Sequence, residues 1–198
     1  LKQLINEIYN YNGNHNIKNA LKLVLHIPLR AENLCNLKWN QINFEKKILT
    51  IPRENMKLSN INLDDFVMPL TDEVIKILKE HKDMQLFSIK PKEYVFLGFN
   101  NRQAINKESP NRALFRLGFN DEKKGTKIRL HGFRGTFRSL IDTLDTKNIF
   151  SFEVKERALD HHDKNLVARS YNHKANYQEQ MIKLMEFWSE FICSLKKD

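Results

Sequence analysis

Apolar residues recur at helical spacing from the start of the chain. Leu1, Leu4, Ile5 and Ile8 share one face, predicting an amphipathic helix over 1–10 that the polar run YNGN (11–14) stops. Leu21, Val24 and Leu25 predict a second helix over 16–29, perturbed near its end by Pro28. RAENLCNLKW (30–39) predicts a short third helix with Leu34 and Leu37 inward. The pattern then changes. KKILTIP (46–52) and FVMPL (66–70) are rich in β-branched and apolar residues, and a polar stretch joins them. Together they predict a β-hairpin with an extended tip and room for a third strand. Thr71 is placed to cap the helix that begins TDEVIKILKEH.

EYVFLG (93–98) is a short apolar stretch before a polar loop. SPNRALFRLG (109–118) predicts a helix with Ser109 as N-cap, Pro110 at its first position and Gly118 after its end. HGFRGTFRSLIDTL (131–144) predicts another, with Phe133, Phe137, Leu140, Ile141 and Leu144 on one face. Residues 152–159, 164–171 and 176–195 read as three more. No repeat or low-complexity linker interrupts the 198 residues, a length that suits one domain with a substantial core. The expected fold class is α+β: a mostly α-helical domain with a small antiparallel β-sheet.

Charge narrows the choice of partner. Lys plus Arg number 33 against 24 Asp plus Glu, a formal charge of +9, and the excess is spread along the chain. That favours an anionic partner, above all nucleic acid, held on a folded basic face. No apolar run approaches the roughly 18 residues of a membrane span, so no membrane partner is expected and the cytoplasm is the expected compartment. Two distant cysteines, Cys35 and Cys193, read as unpaired thiols. Leu1 is not a methionine and already lies in a helical pattern, so the chain reads as part of a longer protein.

Several residues could carry chemistry. His131 and Arg134 in HGFR share a helix face at the helix's beginning, where free N–H groups favour an anion. Arg adds a planar fork of donors suited to phosphate. Arg30 sits where an apolar helix meets a polar one, Lys57 lies between two predicted strands, and Tyr171 ends a short basic helix. Alone, each is as readily a surface or half-buried side chain. The cluster LDHHDKNLVARSYNH (159–173) also raises a metal site made of His161, His162, Asp163 and His173. Adjacent helical positions diverge by about 100°, and no spaced Cys/His set supports them, so no metal and no cofactor are expected.

In order, these pieces resemble the catalytic domain of the tyrosine recombinases, or phage integrases, over essentially the whole chain. LRAENLCNLKW is similar to the family's first arginine box, IPRENMK…VMPL to its lysine hairpin and LHGFRGTFRSL to its His-x-x-Arg box. ALDHHDKNLVARSYNHKANYQEQMIKLMEFWSEF is similar to its tyrosine box and C-terminal helix, and most resembles integrases of prophages and genomic islands. The resemblance implies a site-specific recombinase that cleaves and rejoins DNA through a 3′-phosphotyrosyl intermediate. Tyr171 would be the nucleophile and Lys57 the general acid. Arg30 and Arg134 would clamp the phosphate, with His131 and His161 donating to it. His131 is the candidate base for Tyr171. Lys38, Arg53, Arg112, Arg116, Lys123, Lys124, Lys127 and Arg129 are candidate DNA contacts. Implied partners are double-stranded attachment-site DNA, three further copies of the chain in a tetramer on that DNA, and accessory DNA-bending proteins or an excisionase. The isolated piece could be a monomer, and when DNA-bound it would associate with the nucleoid. The family's N-terminal core-binding region is absent from this stretch.

The chain departs from the family pattern where an acidic residue commonly follows the first arginine by three places: here stands Asn33, with Glu32 one place earlier. The family's Leu-Gly-His reads Leu159-Asp160-His161, with His162 adjacent as the alternative donor. Two docking modes stay open for the apolar stripe of the last helix, on its own domain or on a neighbouring protomer. Rival functions are a type IB topoisomerase, a non-catalytic DNA-binding domain of the same fold, and a metal nuclease, for which no carboxylate cluster is evident.

Overall fold

The computed structural model describes residues 1–57, 59, 63–85, 92–100, 102–161 and 177–196. Among them α1 (Lys2–Tyr9) and α2 (His15–His26) form where the apolar spacing predicts. Leu4, Ile5 and Ile8 bury one face of α1. The Asn14 side chain caps α2 by accepting from the N–H groups of Asn16 (2.8 Å) and Ile17 (3.4 Å). Helix α2 ends at His26, since Ile27, which precedes Pro28, is extended.

The third helix is shorter than its pattern suggests. α3 covers Ala31–Cys35, with Arg30 extended at its N-cap. Leu37 then leaves the helix to accept from the Val95 N–H (2.8 Å), and Trp39 donates to the Glu93 carbonyl (3.0 Å). Tertiary pairing with the 93–98 stretch, through a bridge between Lys38 and Tyr94, overrides the local periodicity.

The sheet is antiparallel, with order β1 (Ile42–Asn43), β2 (Ile48–Ile51), β3 (Phe66–Pro69). Its third strand precedes the predicted hairpin. Leu49 faces Met68 and Ile51 faces Phe66, and all four are buried in the core. A 3-10 turn, Arg53–Asn55, follows β2. α4 (Asp72–Gln85) begins after Thr71, whose hydroxyl accepts from the Val74 N–H (3.5 Å).

α5 spans Glu108–Arg116. It starts before Ser109, because Asn106 supplies the acceptor for the Glu108 N–H (2.8 Å), so Ser109 is not the cap. Gly118 has φ +89, the left-handed conformation that ends the segment. α6 (Gly132–Leu144) buries Phe133, Phe137 and Ile141, while Leu140 and Leu144 pack at the core's margin. α7 covers Phe152–Ala158 and α8 covers Tyr177–Ser194; the helix expected over 164–171 lies outside the described residues.

α8 lays Leu184, Met185, Trp188 and Ile192 into the core of its own chain. Trp188 meets Phe137 edge-on at 5.1 Å and donates its indole N–H to the Leu25 carbonyl (2.8 Å). α2 therefore lies at the centre, with α8 beside it, and its C-terminal end delivers Arg30.

Candidate active site

Arg134 bolts two distant segments together. It stands in the first turn of α6, and only 7% of its surface is exposed. Its guanidinium donates to the Pro28 carbonyl (2.8 Å), at the α2–α3 junction, and to the Leu159 carbonyl (2.5 Å), at the end of α7. The planar fork reaches the two carbonyls through two separate nitrogens held in fixed geometry, which a single ammonium nitrogen does not offer. Burial and the neighbouring Arg30 charge lower its pKa to about 10, against the pull of Asp160 and Glu156. It remains a cation at neutral pH.

The turn after α7 brings the other groups in. Asp160 is buried, with φ +51, and its N–H reaches the Arg157 carbonyl (2.9 Å). Its carboxylate accepts from Arg30 at one oxygen (2.7 Å) and from Arg53 at the other (2.8 Å). His161 follows, exposed, with Nε2 3.1 Å from an Arg134 nitrogen and Nδ1 2.7 Å from Glu156. A carboxylate can only accept, so Nδ1 carries the hydrogen in that pair. Glu156 is itself held by the Arg138 Nε (2.5 Å). Four side chains distant in sequence, Arg30, Arg53, Arg134 and His161, thus meet around one turn.

Two further predicted residues lie at the surface. His131 is the exposed N-cap of α6, and its side chain caps no N–H there. Lys57 is exposed just beyond the 3-10 turn. Tyr171, and with it His162, Asp163 and His173, lies outside the described residues. Asn33 is buried and donates to the Asn55 carbonyl (2.9 Å), which fastens the segment leading to Lys57. Glu32 is exposed.

Arg53 corrects an expectation. It is buried rather than presented to DNA, and it donates to the Asp64 carbonyl (2.7 Å) as well as to Asp160. Its guanidinium is thus held by internal acceptors. Arg112, Arg116, Lys123, Lys124, Lys127 and Arg129 are all exposed at the surface. Arg112, Lys127 and Arg129 line one shallow depression with Phe115 and Phe119. Lys38 pairs with Glu93 (2.7 Å), Lys127 with Glu122 (2.7 Å) and Lys124 with Asp121 (3.8 Å). Such exposed pairs are weak and exchange readily for a phosphate.

Sequence reasoning missed Asp160 and Glu156. The available signal was the acid standing where the family pattern Leu-Gly-His has glycine. A larger groove runs between β3 and α7/α8, but it touches the cluster only through Arg53, Glu156, Asp160 and His161. His26, Glu73 and Cys193 bring potential metal-ligating atoms within 4.8 Å of one another. Both His26 nitrogens, however, already face hydroxyls, of Tyr9 (3.0 Å) and Ser189 (2.8 Å), and Lys196 sits 3.1 Å from Glu73. That cluster joins α8 to α2. Among the described residues no helix is long and apolar enough to cross a membrane.

The helical domain with its small sheet, and two arginines and a histidine gathered at one turn, define a tyrosine recombinase fold. The family model described as "Phage integrase family" matches residues 1–178, and the chain belongs to that family. It is 26% identical over 203 aligned residues to IntB of Escherichia coli (strain K12), covering 97% of this chain and 48% of that protein. It is 29% identical over 164 residues to the prophage integrase IntA of the same strain, covering 82% and 35%. The integrase of Enterobacteria phage P4 is 23% identical over 191 residues, covering 92% and 41%. The chain thus spans half or less of these relatives' length. Among solved structures it superposes on XerA recombinase with TM-score 0.60 at 19% identity, covering 96% of this chain and 60% of that one. The Tn1549 transposon integrase, solved with circular-intermediate DNA, gives 0.59 at 14% identity, covering 90% and 61%.

Proposed function

We propose that the protein is a site-specific DNA recombinase whose Tyr171 attacks a backbone phosphate. The observation that carries this reading is the meeting of Arg30, Arg134 and His161 around the Asp160 turn, in a chain of the phage integrase family. Phosphoryl transfer asks mainly for positioning and for stabilising charge on the non-bridging oxygens. Arg30 uses two N–H groups on Asp160, leaving others for a phosphate. His161 accepts from Arg134 when no anion is bound. Glu156 holds its Nδ1 side, so Nε2 is the nitrogen turned toward Arg134 and the phosphate site.

In the reaction, the Tyr171 oxygen forms a bond to phosphorus and loses its proton, with His131 as candidate acceptor. The bond to the 5′ oxygen breaks, and that oxygen takes a proton from Lys57. The phosphotyrosyl link conserves the phosphodiester bond, so a 5′-hydroxyl from a second duplex can attack it and restore Tyr171. The surface cations Arg112, Arg116, Lys123, Lys124, Lys127 and Arg129 would hold the flanking phosphates. Recombination joins two duplexes, so the working form is an assembly of several copies on attachment-site DNA, the tetramer that the family resemblance implies.

The test uses the full-length protein and sheared genomic DNA of the encoding organism, with chelator present. A denaturant-resistant protein–DNA adduct should form and disappear in Tyr171→Phe. An adduct that survives in that variant, or none from the wild type, overturns the reading. The captured DNA is then sequenced, and exchange between two copies of it separates a recombinase from an enzyme that only relaxes supercoils.

A further inference from the structure

The positive cluster carries a carboxylate that neither its neighbours in sequence nor the reaction demands. Asp160 has 1% of its side chain exposed and sits between two guanidiniums, which are themselves 18% (Arg30) and 8% (Arg53) exposed. Arg134 passes beside it to reach the carbonyl of Leu159. Three guanidiniums packed this closely repel one another, and each needs a fixed acceptor to hold its geometry. Asn33, at the helix position facing the hairpin, is neutral and spends its amide on the Asn55 carbonyl.

The backbone adds a second observation. Asp160 adopts φ +51, where a glycine is unstrained and a side chain costs energy. A carboxylate kept in that conformation and buried is there for its interactions. Those interactions join three elements: the α2–α3 junction through Arg30, the hairpin that bears Lys57 through Arg53, and the α7 turn that bears His161.

We propose that Asp160 is a positioning residue for strand cleavage, holding Arg30 against the scissile phosphate with one oxygen and locking the Lys57 hairpin through Arg53 with the other. The inference rests on the recombinase reading of the site. Asp160 does not touch the phosphate and acts through the two arginines. The chemistry it serves is a phosphodiester dianion-like transition state, which needs Arg30 in one place rather than merely nearby. A displacement of about 1 Å in such a group can cost about a hundredfold in rate.

The test uses the full-length protein with the duplex recovered by covalent capture. Asp160→Asn and Asp160→Gly both suit the left-handed backbone, so both remove the charge without adding strain. Adduct formation is followed in single turnover at saturating DNA, below the Tm of every variant, and Kd is measured in the Tyr171→Phe background. Adduct formation should slow by about a hundredfold in both variants. Kd should stay unchanged or tighten, because a negative charge leaves the phosphate's neighbourhood. In an Arg30→Lys background, Asp160→Asn should cost clearly less than in the wild type, because the arm through Arg30 is already disturbed and only the arm through Arg53 is left to lose. Wild-type cleavage rates in either variant, full multiplicative losses in the double variant, or failure of both variants to fold would each overturn the proposal. A wild type that forms no Tyr171-dependent adduct takes down the recombinase reading first, whereas an active wild type with unaffected Asp160 variants defeats only this inference.

Discussion

Acid should loosen this protein well above the range where carboxylates titrate, and two buried histidines set the size of the effect. His26 and His81 are wholly inaccessible. His26 bridges the hydroxyls of Tyr9 and Ser189, and so links α1, α2 and α8. His81 donates to the Val95 carbonyl (2.7 Å) and lies 3.0 Å from the Asn19 amide. Burial disfavours the imidazolium and lowers each pKa from 6.5 to about 4. With the folded pKa depressed, the unfolded chain binds protons that the folded chain refuses between those two values. Stability is therefore complete above pH 6.5 and declines as pH falls toward 4. From pH 7.5 to 5.0 the linkage relation gives about 2 kcal/mol lost per histidine, or about 4 kcal/mol for both. That is a large share of the roughly 5–15 kcal/mol typical of a domain. Urea unfolding at the two pH values measures it, in the wild type and in His26→Gln and His81→Gln. Each substitution lowers stability at pH 7.5, and each should shrink the difference between the two pH values by about 2 kcal/mol. If both variants lose as much between the two pH values as the wild type does, the reasoning from neutral buried histidines is wrong.

Three further outcomes follow from the packing and the charge. Trp188→Ala removes an edge-on contact with Phe137 and a hydrogen bond to Leu25; it should cost about 3–5 kcal/mol, read by urea unfolding. Arg134→Lys leaves the Pro28 or the Leu159 carbonyl without its donor. It should lower stability by about 1–3 kcal/mol and abolish most adduct formation, even where the fold survives. Binding to a random-sequence duplex should weaken steeply with salt, and Arg112→Ala or Lys127→Ala should each reduce the slope of log K against log salt by about 1, measured by fluorescence anisotropy.

Much of the fold is written locally. Leu4, Ile5 and Ile8, or Phe133, Phe137 and Ile141, announce their helices because one buried stripe needs one spacing. Asn14, Pro28 and Gly118 mark ends because their effects act within a turn. The helix predicted through Trp39 shortens to Ala31–Cys35 because Leu37 and Trp39 pair with residues more than fifty positions away, which periodicity does not register. The same distance hides Asp160. Its spacing to Arg30 and Arg53 is 130 and 107 residues, so only a folded chain shows one carboxylate shared by two guanidiniums.

The order of elements, the basic character and the succession of Arg30, Lys57, HGFR and the tyrosine box are legible in the residues themselves. Those are properties of residue type and spacing. Tertiary structure alone decided that Arg53 faces inward instead of toward DNA, that Arg134 ties the Pro28 junction to the Leu159 turn, and that His161 is oriented by Glu156. The reason is that a cation's role depends on which acceptor lies within about 3 Å of it, and chain folding, not sequence neighbourhood, supplies that acceptor.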